Sequence, residues 1–199
     1  MARNILNQCD QIINNISIDE IFERKKGVYS NYISAIIVKL VLLYGFRNDV
    51  IKKLEIGDYD ENLNKLTVDR YRVGLPDGLA VQMKKYIKIR ERFLENAKCE
   101  KMFLDATNIE KDLDNTKMFL VLNRITGNNQ SRAVAKYAII RMLKNGTPAH
   151  IIMDFTGYKK EVLEYCQDVI DEEKGIVLLS EKCRVLDSAL RKSDLFDDM

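Results

Sequence analysis

Residues 41–68 read VLLYGFRNDVIKKLEIGDYDENLNKLTV. The stretch opens at the end of an apolar run, breaks at Gly45, and closes on Leu66-Thr67-Val68, which suits a short strand. At the break stands Arg47, whose side chain stays charged at any ordinary pH. A permanent cation at the close of so apolar a helix is either solvated or held there to meet an anion, and the rest of the chain bears on which.

Upstream, YISAIIVKLVLLY predicts a helix from about Tyr29 to Tyr44, apolar around nearly its whole circumference and therefore central to the fold. It falls short of the roughly 18 residues of a membrane span and carries Lys39, so it reads as a buried helix. Ser17 and Glu20 form a capping box for an earlier helix, with Gly27 as its stop. Downstream, a short helix is expected over Asn48–Leu54. Leu66–Val68 and Arg72–Leu75 follow as strands around a tight turn, ended by Pro76-Asp77-Gly78. Residues 79–97 form a basic amphipathic helix with Leu79, Met83, Tyr86 and Phe93 on its apolar side.

The next segment is the least regular, with short strands expected at Met102–Leu104 and Met118–Leu122. A helix capped by Ser131 or Asn129 then runs to about Asn145 and is ended by Gly146. Thr147 at the N-cap and Pro148 at N1 start another, to Phe155, and two more helices complete the chain. The fold class is mainly α with a small antiparallel β-sheet. The expected organisation is an N-terminal extension (1–16), one domain (17–175), and a C-terminal helix with an acidic tail (176–199).

At 199 residues, 46% hydrophobic and 31% charged, the chain is long enough for one well-filled core. MARNILNQCDQ lacks the apolar centre of a secretory leader, so a cytoplasmic location is expected. Cys9, Cys99, Cys166 and Cys183 have no paired spacing, which supports free thiols and neither a zinc site nor a disulfide framework. Net charge is +2 but unevenly spread. Residues 70–101 carry nine basic against four acidic side chains, and residues 117–160 carry eight against one. Residues 161–199 carry five basic against eleven acidic. Two basic blocks ahead of an acidic end suggest a face for a polyanion.

Two stretches resemble the catalytic domain of tyrosine recombinases, the phage-integrase family. YGFRNDVIKKLEIGDYDENLNKLTV is similar to the family's T-G-L-R-I-S-E-L-x-x-L followed by a hairpin. IRMLKNGTPAHIIMDFTGYKKEVLEYCQDV is similar to its closing T-R-L-L-E-A-G…L-L-G-H…Y segment. The distance from Gly146 to Tyr158 equals the family's distance from glycine to histidine, and the likeness spans about residues 17–170. The family's amino-terminal DNA-clamping domain has no counterpart.

The resemblance implies metal-free and cofactor-free phosphoryl transfer on double-stranded DNA. A tyrosine attacks a phosphodiester to give a 3′-phosphotyrosine, two arginines hold the non-bridging oxygens, and a histidine and a lysine manage protons. Carried onto this chain, Arg47 matches the first arginine and would face a backbone phosphate. The acidic residue expected three positions later is Val50. The hairpin turn offers Arg70 and Arg72 in place of lysine, and arginine is a poor proton donor. The H-x-x-R box puts Ala135 at its arginine position when counted without gaps, or Arg132 in a shifted register. Tyr158 replaces the histidine. Tyr165 is the candidate nucleophile, two residues short of the usual spacing, which turns a helical side chain by about 200°. His150 matches no catalytic position and is expected at the surface.

The residues implied for DNA contact are Arg47, Arg70, Arg72 and Arg132, with Lys136, Tyr158, Lys159 and Lys160 beside them. The implied catalytic set, if the chain is active, is Tyr165 with Arg47 and Arg132. So many departures at catalytic positions point to a DNA-binding protein that has lost strand transfer, such as a phage or mobile-element regulator or accessory factor, self-associating through its C-terminal helix. The alternatives are a divergent active recombinase and a protein-interaction module without DNA binding.

Overall fold

Helix α3 (Gly27–Tyr44) is the axis around which the other elements pack in a computed structural model that describes residues 1–23, 27–95, 97–105 and 107–191. Its residues from Tyr32 to Leu42 are all buried. Contrary to the expectation from its apolar run, the full 18-residue helix has the length and apolarity of a membrane span, but 67% of it is buried inside the protein. The buried Lys39 and Ser34 both find partners there. Lys39 donates to Asp10 (2.5 Å) and to Gln82 (2.6 Å). Ser34 donates to the Met118 carbonyl (3.0 Å) and accepts from the Val121 N–H (2.9 Å).

Helix α1 (Ala2–Asn14) supplies Asp10 and inserts Ile5, Cys9 and Ile13 into the common core. The stretch expected as an N-terminal extension is therefore packed against α3. Helix α2 (Ile18–Glu23) begins as expected, with the Glu20 N–H donating to the Ser17 hydroxyl (3.1 Å). Gly27 does not end it; this glycine opens α3.

After α3 the chain turns through Gly45, in the left-handed region at φ +74°, into α4 (Asn48–Lys53). A 3-10 turn (Ile56–Asp58) leads to the sheet: β1 (Tyr59–Asp60), β2 (Lys65–Val68) and β3 (Tyr71–Gly74), antiparallel in that order. The register pairs Leu66 with Val73 and Val68 with Tyr71, so Asp69 and Arg70 form the hairpin turn. Period-2 alternation buries Leu66 and Val68 while Thr67 faces the other way. Helix α5 (Asp77–Leu94) buries Leu79, Met83, Tyr86 and Ile87.

Two expected strands are absent. Met102–Leu104 is held as irregular backbone by side chains of α5: Tyr86 donates to the Met102 carbonyl (2.8 Å) and Arg90 to the Lys101 carbonyl (3.0 Å). Beside it, Lys101 forms an isolated antiparallel β-bridge with Glu55. Met118 ends α6 (Asn115–Met118) and residues 120–122 open α7 (Leu120–Thr126), with Phe119 as the turn between them. The Asp114 carboxylate caps the first by accepting from the Lys117 N–H (2.8 Å), and Ser34 bridges the break between them.

Four helices follow: α8 (Ser131–Lys144), α9 (Ala149–Thr156), α10 (Lys160–Glu173) and α11 (Leu179–Leu190). Pro148 takes the N-cap of α9 where N1 was expected. Helix α8 packs on both α3 and α10. Helix α11 leaves Leu179, Val185 and Leu186 exposed, and the acidic side chains at 194, 197 and 198 lie outside the described residues. The four cysteines are free.

Candidate nucleic-acid interface

Three chain junctions meet around Arg47. The first is its own, between α3 and α4, where it is the extended N-cap of α4. The second is the end of α9: the Arg47 N–H donates to the Thr156 carbonyl (2.9 Å). The third is the start of α8, where Ser131 and Asn48 are linked through their side-chain oxygens at 3.1 Å.

Two glycines in the left-handed region allow these junctions to close. A Cβ on Gly45 would stand 3.3 Å from Thr156 and 3.4 Å from Ala138. A Cβ on Gly157 (φ +76°) would come within 2.6 Å of Val50 Cγ2. Val50, where the recombinase pattern has an acid, thus packs against the α9–α10 turn.

The junctions enclose an open cleft of about 600 Å³. Arg47, Lys52, Arg132 and Lys159 bring positive charge to its walls, and Asp49 and Glu161 bring negative charge. Asn48, Asn115, Ser131 and Tyr158 add neutral polar groups. The balance is cationic, as a site for phosphate requires.

Within the cleft the two arginines differ. Arg47 Nε donates to Asp49 Oδ1 (2.5 Å) while its Nη2 pairs with Asp49 Oδ2, a bidentate contact on a side chain still 40% exposed. These bonds hold the Asp49 carboxyl below its usual range and stabilise the guanidinium charge further. Arg132 is exposed and has no carboxylate partner among the described residues. Of the two registers for the arginine box, Arg132 lines the cleft, whereas Ala135 is fully buried with its carbonyl under Gly45. Tyr158 is buried to 7% exposure. Burial raises its phenol above the ordinary value, against the opposing pull of Arg132 and Arg47, so it stays a neutral O–H donor.

Other implied residues lie outside this cleft. Arg70 pairs with Asp154 of α9, which also accepts from the Tyr71 hydroxyl (3.3 Å). Arg72 pairs with Asp60 across the sheet. Lys160 pairs with Glu164 along α10 (3.0 Å). Tyr165 is 52% exposed, and Lys136 Nζ sits over its ring at 3.4 Å from the centroid. Lys136 is one helical turn beyond Arg132, which places this pair beside the cleft and not in it. His150 is exposed in the first turn of α9.

Sequence reasoning missed Asp49, Lys52, Asn115 and Glu161. Asp49 was legible in principle. Two residues apart, side chains do not meet within a helix, but Arg47 is extended and precedes α4, so its side chain folds back onto the first turn. Among the described residues no group of three or more His, Cys, Asp or Glu side chains could hold a metal ion. No protein-family model matches this chain, and no curated protein matches it either.

Proposed function

We propose that this protein binds double-stranded DNA through the Arg47–Arg132 cleft, on a degenerate tyrosine-recombinase scaffold without strand-transfer activity. The observation that carries the reading is the convergence of Arg47 and Arg132, 85 positions apart in sequence, on one open cationic cleft with Tyr158 and Lys159. Two guanidiniums and a neutral phenol supply the donors that a phosphodiester's oxygens accept from. Among the described residues the cleft's lysines, Lys52 and Lys159, are not at positions the resemblance makes catalytic, no histidine lines it, and Tyr165 lies outside it. Losing one transition-state donor costs about 10²–10³-fold, so losing several removes the chemistry long before it removes binding.

A cytoplasmic phage or mobile-element regulator, or an accessory to recombination, fits this reading. Self-association through α11 would raise avidity, and the exposed Leu179, Val185 and Leu186 provide an apolar contact. The test is a mobility shift at increasing salt. Binding should weaken with salt and with Arg47→Ala and Arg132→Ala together, and salt-insensitive binding would refute the reading.

One observation favours a second reading, a divergent active recombinase: the Tyr165 ring is half-exposed and lies against Lys136, which is one helical turn beyond Arg132 on α8. A nicked suicide substrate should then trap a covalent adduct that Tyr165→Phe abolishes. Absence of an adduct on DNA that the protein binds removes that reading.

A further inference from the structure

The edge of Arg47 that would take two phosphate oxygens is already occupied. Its Nε and Nη2 are bound to the two oxygens of Asp49, and this is the fork that serves carboxylate and phosphate alike. One edge cannot hold two anions. We propose that Asp49 is a resident competitor for the cleft, holding the Arg47 guanidinium until a phosphate displaces it. The inference rests on the phosphate-binding reading given above and adds how the cleft chooses its ligand.

The geometry suits an exchange of partners. The Asp49 side chain is 43% exposed, so on release its carboxylate returns to water without crossing the core. It also lies one turn before Lys52, another cation of the same cleft and within reach of a helical neighbour three positions on. Arg132 is the open half of the site. A ligand bringing a lone carboxylate engages Arg132 and gains nothing by trading places with Asp49. A phosphodiester spanning both guanidiniums gains at each, and both line the one cleft. Asp49 therefore sets a threshold that favours a phosphate backbone over an acidic peptide. A brace that merely aims Arg47 at its ligand would predict the opposite sign on removal.

The experiment is a thermodynamic cycle on the full chain with Asp49→Asn, Arg47→Ala and the double variant, and with Asp49→Ser as a second neutral replacement. Each is titrated with a labelled duplex of about 20 base pairs and, separately, with inorganic phosphate. Asp49→Asn should tighten duplex binding about tenfold at low salt, and the gain should vanish when Arg47 is alanine. Unchanged or weaker binding in both Asp49 variants overturns the proposal. So does an equal gain with and without Arg47, which would mean only that a negative charge was removed. If no form binds the duplex but phosphate binds Asp49→Asn more tightly in an Arg47-dependent way, the competitor stands and the duplex reading falls. If neither probe binds any form, both fall.

Discussion

Replacing Arg132 with alanine removes a guanidinium of the cleft that has no carboxylate partner among the described residues. Each phosphate contact contributes about 0.9 to the slope of log affinity against log salt, and one such contact is worth about eightfold between 1 M and 0.1 M salt. Arg132→Ala should therefore weaken duplex binding by roughly an order of magnitude at 0.1 M salt and flatten the slope by about 0.9, whatever the DNA sequence. Fluorescence anisotropy at four or more salt concentrations measures both quantities. Exposed Lys111, away from the cleft lining and from α11, serves as the control, and its alanine variant should leave the slope as it is. A drop in affinity at unchanged slope would mean that Arg132 acts on folding or shape and not on phosphate. An unchanged affinity would refute the cleft as the DNA site.

Gly157→Ala combines left-handed backbone strain with a Cβ 2.6 Å from Val50, and should cost about 2–4 kcal/mol in urea unfolding. Stability should fall in acid. Burial opposes the charge on Asp10, but Lys39 and Gln82 more than offset it. Arg47 holds Asp49 down, and Lys117 and Thr107 do so for Asp105 against its burial. With folded values below the ordinary 3.8, these carboxylates stabilise the protein above that pH, and the contribution is lost as the pH falls through the folded values. Asp10→Asn should therefore be less stable at pH 7 and show a shallower acid limb, which denaturant titrations at both ends measure. Leu186→Glu should lower the sedimentation mass if α11 joins copies, and leave it unchanged if it does not.

Apolar pattern carried the helices well, because α3 is buried on all sides and α5 on one. Pattern failed where a short apolar run suits strand and helix equally. The run MFLVL became largely helical because Asp114 and Ser34 satisfied backbone donors around the break, and Ser34 lies 87 residues from the Val121 N–H it accepts from. The N-terminal helix has a legible apolar stripe, Ile5, Cys9 and Ile13 at four-residue spacing, but where that stripe docks depends on Asp10 meeting Lys39 and Gln82, which are distant in sequence. At the cleft, Arg47 was legible from its place after Gly45-Phe46. The choice between Arg132 and Ala135 was not, since it depends on which residue of α8 lies under Gly45.

Lys39 has a consequence beyond the core. A charged lysine inside an apolar helix opposes transfer into a bilayer by up to about 3 kcal/mol. Before α1 and α5 have docked, α3 is a segment of suitable length for insertion, and this ammonium is its only charge. A Lys39→Leu chain would lose that deterrent along with its Asp10 partner. The side chain that fastens three helices in the finished molecule thus also disfavours the lipid phase while the chain is still being made.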